Sequence, residues 1–350
     1  MSHKPLAACI NVIAILACLL ILQPALAQNK FGGLDASLQE KQKLLGKDFV
    51  VMIWKKNDTL VYKKEIGEFN SKTQAPIASC SKWLTTAVVM TFVDEGKISL
   101  DDKITNWLPE FSKYGKNYIT VRQCLSHMTG IKSEPITIAR LLERKKFQSL
   151  EEEVNSFAAK DIQANPGEEF RYSNIGLNIA ARICEIVSKR KFDVLARQRV
   201  FIPLGMRKTT FSTMDGSAVN PSGGALSTPE DYMHFLIMLM NKGVYQGRKI
   251  LSEEAVESML TVHTKPELMK YVPKAATGFS YALGAWVGEE KEGKATMIAC
   301  PGLFGTWPMI DYCRGYAYLF FVKNFLGEER AGAQLEIKKI VDEQFPANCK

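Results

Sequence analysis

The sequence is sparing in the residues that hold metals. Its 350 residues include four histidines and eight cysteines, and no two cysteines form a Cys-x-x-Cys pair. A zinc site built from closely spaced thiolates and imidazoles therefore has no support, and the metal-site expectation is none. Internal repeats and low-complexity linkers are also absent, which excludes a repeat array. Basic residues fall in short mixed runs, and those such as Glu143-Arg144-Lys145-Lys146 and Lys189-Arg190-Lys191 carry no interleaved aromatics. A solvated surface explains such runs and no nucleic-acid partner is expected, although a mild basic surplus suits association with an anionic envelope surface.

What the chain does contain begins with a distinct first segment. Lys4 is its only charged residue, an apolar run extends from Leu6 to Leu22, and Ala25-Leu26-Ala27 supplies the small-x-small pattern cut by signal peptidases. This reads as a secretory signal peptide over 1–27, with export to the periplasm or medium after cleavage near Ala27. The run is short for a membrane span and breaks at Gln23-Pro24, and Cys18 or Cys9 fits a lipoprotein signal poorly. Loss of Lys4 takes the net charge from +8 to +7. Cys80, Cys124, Cys184, Cys300, Cys313 and Cys349 remain. Export permits disulfides, and Cys300 with Cys313 is a candidate pair across neighbouring strands, while Cys80 and Cys184 read as buried thiols in helical apolar stretches.

Composition is that of a globular chain, 46% hydrophobic and 23% charged. Periodicity predicts a short helix over Leu34 to Leu45, then strands at Phe49–Trp54 and Thr59–Lys64 joined by an Asn57-Asp58 turn. From Ser79 to about His263 the pattern is helical. Strands return at Tyr281–Val287, Ala295–Ala299, Thr306–Ile310 and Tyr316–Val322, and Glu328 to Phe345 predicts a closing helix. Strands at both ends with helices between them give an α+β fold: one antiparallel sheet built from 28–78 and 264–350, with 79–263 as a helical insertion in a single domain. The junction of sheet and insertion is a natural place for a cleft.

The helix that begins at Ser79 is apolar on nearly every side through Val93, the pattern of a buried helix. Its first turn nevertheless carries Ser79 and Lys82, three residues apart and on one face. Desolvation and the positive end of the helix dipole both depress a lysine pKa, so Lys82 can be neutral and accept the Ser79 proton. A serine hydroxyl needs such a base to become a nucleophile, and a helix start offers N–H groups to a developing oxyanion. Taken alone, the pair also fits a helix cap with a snorkelling lysine. A second Ser-x-x-Lys, at Ser188 and Lys191, lies in a Lys/Arg-rich helix end and reads as surface.

Asn165 to Asn174 forms a turn into a further helix, with Ile175, Ile179, Ile183 and Ile186 at helical spacing. Asn174 fits a helix cap and Tyr172 a packed ring as well as functional roles. Ser79-x-x-Lys82 followed by Tyr172-x-Asn174 resembles the serine β-lactamase and penicillin-binding protein superfamily, in particular the branch of class C β-lactamases, D-alanyl-D-alanine carboxypeptidases and related esterases. The likeness extends through Leu100-Asp101-Asp102-Lys103, Leu125-Ser126-His127-Met128-Thr129-Gly130, Pro203-Leu204-Gly205-Met206 and Ser222-Gly223-Gly224-Ala225.

The resemblance implies an acyl-enzyme pathway on a small-molecule or peptide-like acyl substrate, with no cofactor. Ser79 would attack, Lys82 and Tyr172 would share the proton traffic, and Asn174 would hold the substrate or the lysine. Ser79 N–H and an N–H near Gly305 would form the oxyanion hole. The third family motif, Lys-Thr-Gly or His-x-Gly, aligns with Cys300-Pro301-Gly302, so Cys300, Gly302 and Gly305 are the expected substrate contacts, and a thiol stands where a cation is usual. A slipped register would bring Met297 there and restore no cation. This lowers β-lactamase or D,D-peptidase action and raises ester or other acyl hydrolysis; a catalytically idle binding module of the same fold is the rival class. His127 reads as a satisfied turn histidine, and Cys300 as a nucleophile lacks a nearby histidine.

Overall fold

The computed structural model describes residues 30–56, 58–135, 147–213, 215–322 and 330–349. The expected signal segment, Asn57 and the Glu143–Lys146 run lie outside the described residues. A seven-stranded antiparallel sheet forms from β1 (Phe49–Lys55), β2 (Thr59–Ile66), β3 (Ser280–Tyr281), β4 (Trp286–Lys291), β5 (Lys294–Ala299), β6 (Trp307–Asp311) and β7 (Tyr316–Val322). Their spatial order is β2-β1-β7-β6-β5-β4-β3, so the two chain ends meet where β1 pairs with β7.

Both faces of this sheet are covered, which explains why its central strands read as unbroken apolar runs. Along a strand successive side chains point to opposite faces. Val50 and Met52 of β1, with Ala317, Leu319 and Phe321 of β7, enter the core shared with the helical region. Phe49, Val51 and Ile53, with Tyr318, Phe320 and Val322, enter a second core. There they meet α1 (Gly32–Glu40) and the closing α6 (Ala331–Asp342). The larger core holds α2 (Ser81–Asp94), α3 (Val121–Leu125), α4 (Ile175–Ser188) and α5 (Pro229–Met240).

Two expectations need correction. Tyr281–Val287 is not one strand: Ala282 N–H donates to Ala285 C=O, and Trp286 pairs with Tyr281. Ala282, Leu283 and Ala285 are apolar because this turn is buried, which hid it from the periodicity. Cys313 is joined to Cys349, tying the β6–β7 turn to the chain end beyond α6, whereas Cys300 is a buried free thiol. Cys300 faces the interior and cannot reach the surface turn that carries Cys313.

Close contact between α3 and α4 sets the start of α4 and hence the loop before it. A Cβ on Gly176 would lie 2.1 Å from Cys124 C=O. We expect Gly176→Ala to lower the thermal midpoint through about 1–3 kcal/mol of overpacking, read by circular dichroism. The Cys313–Cys349 bond closes a separation of 36 residues. Denaturant unfolding of Cys313→Ser should show a loss of about 3 kcal/mol, since the cross-link restricts the unfolded chain.

Candidate active site

Ser79 lies in a short 3-10 turn, Ala78–Cys80, that runs directly into α2. The preceding Ala78 has φ +45°, a left-handed conformation that costs an alanine about 1–2 kcal/mol. The turn is held by packing around it. Tyr232 Oη on α5 donates to Cys80 C=O at 2.8 Å. Gly302 packs so closely that a Cβ there would lie 2.5 Å from Ile77 C=O.

Lys82, one turn further on, is fully buried. Its Nζ contacts three oxygens: Ser222 C=O at 2.8 Å, Asn174 Oδ1 at 3.0 Å and Ser79 Oγ at 3.5 Å. Burial lowers its pKa to about 7, against smaller opposing effects of the Cys300 and Cys80 thiols. The ring centroid of Tyr172 lies 4.8 Å from Nζ, and Tyr172 lines the same cleft as Ser79. Burial raises the Tyr172 pKa well above the usual phenol value, so this group is a neutral O–H at ordinary pH.

Tyr172 is placed by main chain on one side and rings on the other. A two-residue strand, Phe170–Arg171, runs parallel to Met269–Tyr271, and Tyr172 N–H continues it by donating to Tyr271 C=O at 3.2 Å. Trp286 packs at 5.0 Å and His127 at 4.6 Å between ring centroids. Asn174 occupies the N-cap position of α4 but makes no side-chain capping bond; its carboxamide turns to Lys82 instead.

His127 is buried and packs on the Tyr172 ring, but its hydrogen-bond partners are Ser173 and Tyr281. Its Nδ1 accepts Ser173 N–H at 3.4 Å, and Nε2 meets Tyr281 Oη at 3.0 Å. That assigns the proton to Nε2, and burial keeps the ring neutral.

The third motif behaves differently from expectation. Cys300 is 1% exposed, and its Sγ lies 3.3 Å from Ser79 C=O and 3.5 Å from Gly284 C=O, both within reach of its single S–H. It sits behind the Ser79 turn and does not line the cleft, because the strand end turns its side chain inward. Burial pushes this thiol up to about 12, so it carries no charge. Gly302 and Gly305 do line the cleft. Their N–H groups, however, are spent within the turn, Gly305 on Gly302 C=O at 2.9 Å and Gly302 on Thr306 C=O at 2.8 Å. Gly305 therefore does not offer the expected oxyanion donor.

Ser79 and Tyr172 open into a cleft enclosing about 680 Å³, solvent at its mouth included. Its walls are largely apolar, with Trp286, Leu303 and Trp307 on the sheet side. Arg330 and Gln334 approach from the opposite wall at the start of α6. Carboxylates of Glu289, Asp311 and Asp342 cluster elsewhere, on the α6 face of the sheet. Lys338 Nζ lies 3.0, 3.4 and 2.7 Å from them, and Arg314 lies 3.0 Å from Asp311, so the protein's own cations occupy that cluster.

Sequence reasoning missed Ser222 and Asn178. Ser222-Gly223-Gly224-Ala225 stood out as a family landmark, but nothing local indicated that its carbonyl would face Lys82.

Residues 38–341 match the family model described as Beta-lactamase. D-alanyl-D-alanine-carboxypeptidase/endopeptidase AmpH of Escherichia coli K12 is 23% identical over 249 residues, 65% of this chain and 64% of that one. The crystal structure of a candidate beta-lactamase from Bacteroides dorei DSM 17855 superposes with a TM-score of 0.78 at 27% identity, covering 89% of this chain and 99% of that chain. EstCE1, a hydrolase with promiscuous acyltransferase activity, shares the fold with a TM-score of 0.73 at 19% identity, over 90% and 98% of the two chains. With the motif residues, the sheet and the family match in agreement, the chain belongs to the beta-lactamase family of serine hydrolases.

Proposed function

We propose that this protein is an exported serine hydrolase that forms an acyl-enzyme on Ser79 and acts on small esters, with Lys82 as the base for attack. The observation that carries this reading is the set of contacts at Lys82. A neutral amine has two N–H bonds and one lone pair. Ser222 C=O and Asn174 Oδ1 accept the two N–H bonds, which leaves the lone pair for the Ser79 hydroxyl. Tyr172 is unsuited to be the base, because its buried phenol has lost the third-motif cation that would favour a phenolate.

In this pathway Ser79 Oγ attacks the carbonyl carbon as its proton moves to Lys82. The tetrahedral adduct collapses with rupture of the bond to the leaving oxygen, which takes a proton from Lys82 through the Tyr172 hydroxyl. Water then attacks the acyl carbon, gives up a proton to the same groups, and Ser79 Oγ leaves with one. The apolar cleft favours an uncharged acyl or alkoxy group. A carboxylate on a substrate would be met from the Arg330 wall and not beside Ser79, where Cys300 is uncharged, so β-lactam turnover ranks below ester turnover. The AmpH relationship favours a second reading, cleavage of D-alanyl peptides by the same groups. Export is supported by the signal-like 1–27 segment and by the Cys313–Cys349 bond, which suits an oxidising compartment.

Fluorophosphonate should label Ser79 in the protein lacking 1–27, and Ser79→Ala should abolish both the label and short-chain ester hydrolysis. Absence of any Ser79-dependent label or turnover would instead favour a binding module. Lys82→Ala should reduce acylation by about 10²–10⁴-fold. Because the neutral amine is the active form, the wild-type acylation rate should rise with pH through a midpoint of about 7. Nitrocefin should turn over more slowly than p-nitrophenyl acetate, and the reverse ranking would overturn the ester preference.

A further inference from the structure

We propose that Asn178 is a positioning residue that fixes the carbonyl of Ser222 and so aims the Lys82 lone pair at Ser79. The inference rests on the reading of Lys82 as base and extends it to a residue that touches neither substrate nor nucleophile.

Asn178 lies one turn after Asn174 on α4, and the two therefore share a face. It is fully buried. Its Oδ1 accepts twice from one residue, from Ser222 N–H at 3.1 Å and Ser222 Oγ–H at 2.7 Å. The Ser222 hydroxyl also lies 2.9 Å from Asn174 C=O. The 220–225 loop is thereby clamped to the first turn of α4. Its other side is strapped to α2, where Thr85 Oγ1 donates to Pro221 C=O at 2.7 Å and Ala225 N–H donates to Ser81 Oγ at 3.0 Å. Ser222 C=O, between these anchors, is the shortest contact Lys82 makes.

Asn178 Nδ2 has no hydrogen-bond partner among the described residues. A leucine would avoid that orphan donor in so apolar a helix. Keeping a half-satisfied amide there makes sense where its oxygen is needed. Without that oxygen Ser222 has no partner of comparable rigidity for its N–H, the carbonyl drifts, and one Lys82 N–H is free to rotate toward Ser79 in place of the lone pair. Positioning of this kind affects the acylation rate more than substrate binding.

The titratable groups that bear on Lys82 are the thiols of Cys80 and Cys300, the phenol of Tyr172 and the imidazole of His127, and none is a carboxylate. A carboxylate at 178 would therefore be a new kind of neighbour. Held by Ser222 N–H and O–H it would stay ionised and favour the ammonium form of Lys82.

Two variants test the idea. Asn178→Leu should lower the pH-independent acylation rate about ten- to hundredfold with KM little changed. Asn178→Asp keeps both hydrogen bonds and should move the Lys82 titration upward by about one pH unit. That titration is read by NMR with lysine-selective ¹³Cε labelling in a Ser79→Ala background, where no turnover is needed. If Asn178→Leu fails to fold, Asn178→Ala, which removes the same oxygen without added bulk, takes its place, and a wild-type acylation rate in it overturns the proposal. A wild-type rate in folded Asn178→Leu overturns it equally. Should Lys82 shift in Asn178→Asp while the wild-type protein shows no Ser79-dependent hydrolysis, the coupling of position 178 to the Lys82 amine stands and the hydrolase reading falls.

Discussion

A primary amine buried without a counter-charge must give up its proton and find acceptors for the N–H bonds it keeps. At Lys82 this requirement organises everything within reach of Ser79. The acceptors come from two distant segments, the α4 cap and the 220–225 loop; further hydrogen bonds fix the loop to α2, and Ser222 ties the cap to the loop. Removing water from the amine is what depresses its pKa, and the same exclusion of water makes each remaining hydrogen bond count for more. The site is therefore a consequence of burial. An exposed Ser-x-x-Lys such as Ser188 and Lys191 has the spacing without the environment: Lys191 is exposed beyond the end of α4.

The sheet supplies the opposite wall. Both of its faces are packed where β5 and β6 approach the Ser79 turn, and the Cys300–Thr306 segment closes on that turn with almost no free space at Gly302. The departure at Cys300 has a coherent physical meaning in this setting. A buried neutral thiol donating to Ser79 C=O steadies the Ser79 turn from behind and brings no charge to the cleft. Among the described residues that line the cleft, Arg330 at the start of α6 is the one Lys or Arg.

Much of the fold was legible because its signals are local. The central strands, the apolar helix after Ser79, and the helix after Asn174 all announce themselves by period and by the identity of neighbouring residues. The strand ends moved by a residue or two, as at Trp307–Asp311, and the run from Tyr281 to Val287 concealed a buried turn. The order of motifs placed Ser79, Lys82, Tyr172 and Asn174 in one candidate site, and these four residues are in contact. Asn174 illustrates the limit: its sequence context suits a helix cap, and only its neighbour across space reveals that its side chain does something else.

The sequence by itself determined most of the strands and helices and which side chains are candidates for chemistry, since both depend on residues near one another in the chain. Tertiary structure alone decided the rest. Lys82 meets Ser222 across 140 residues, Cys300 meets Ser79 across 221, and Cys313 finds Cys349 and not Cys300. None of these pairings leaves a local pattern, because a hydrogen bond or a disulfide is fixed by where two segments are packed and not by what flanks them.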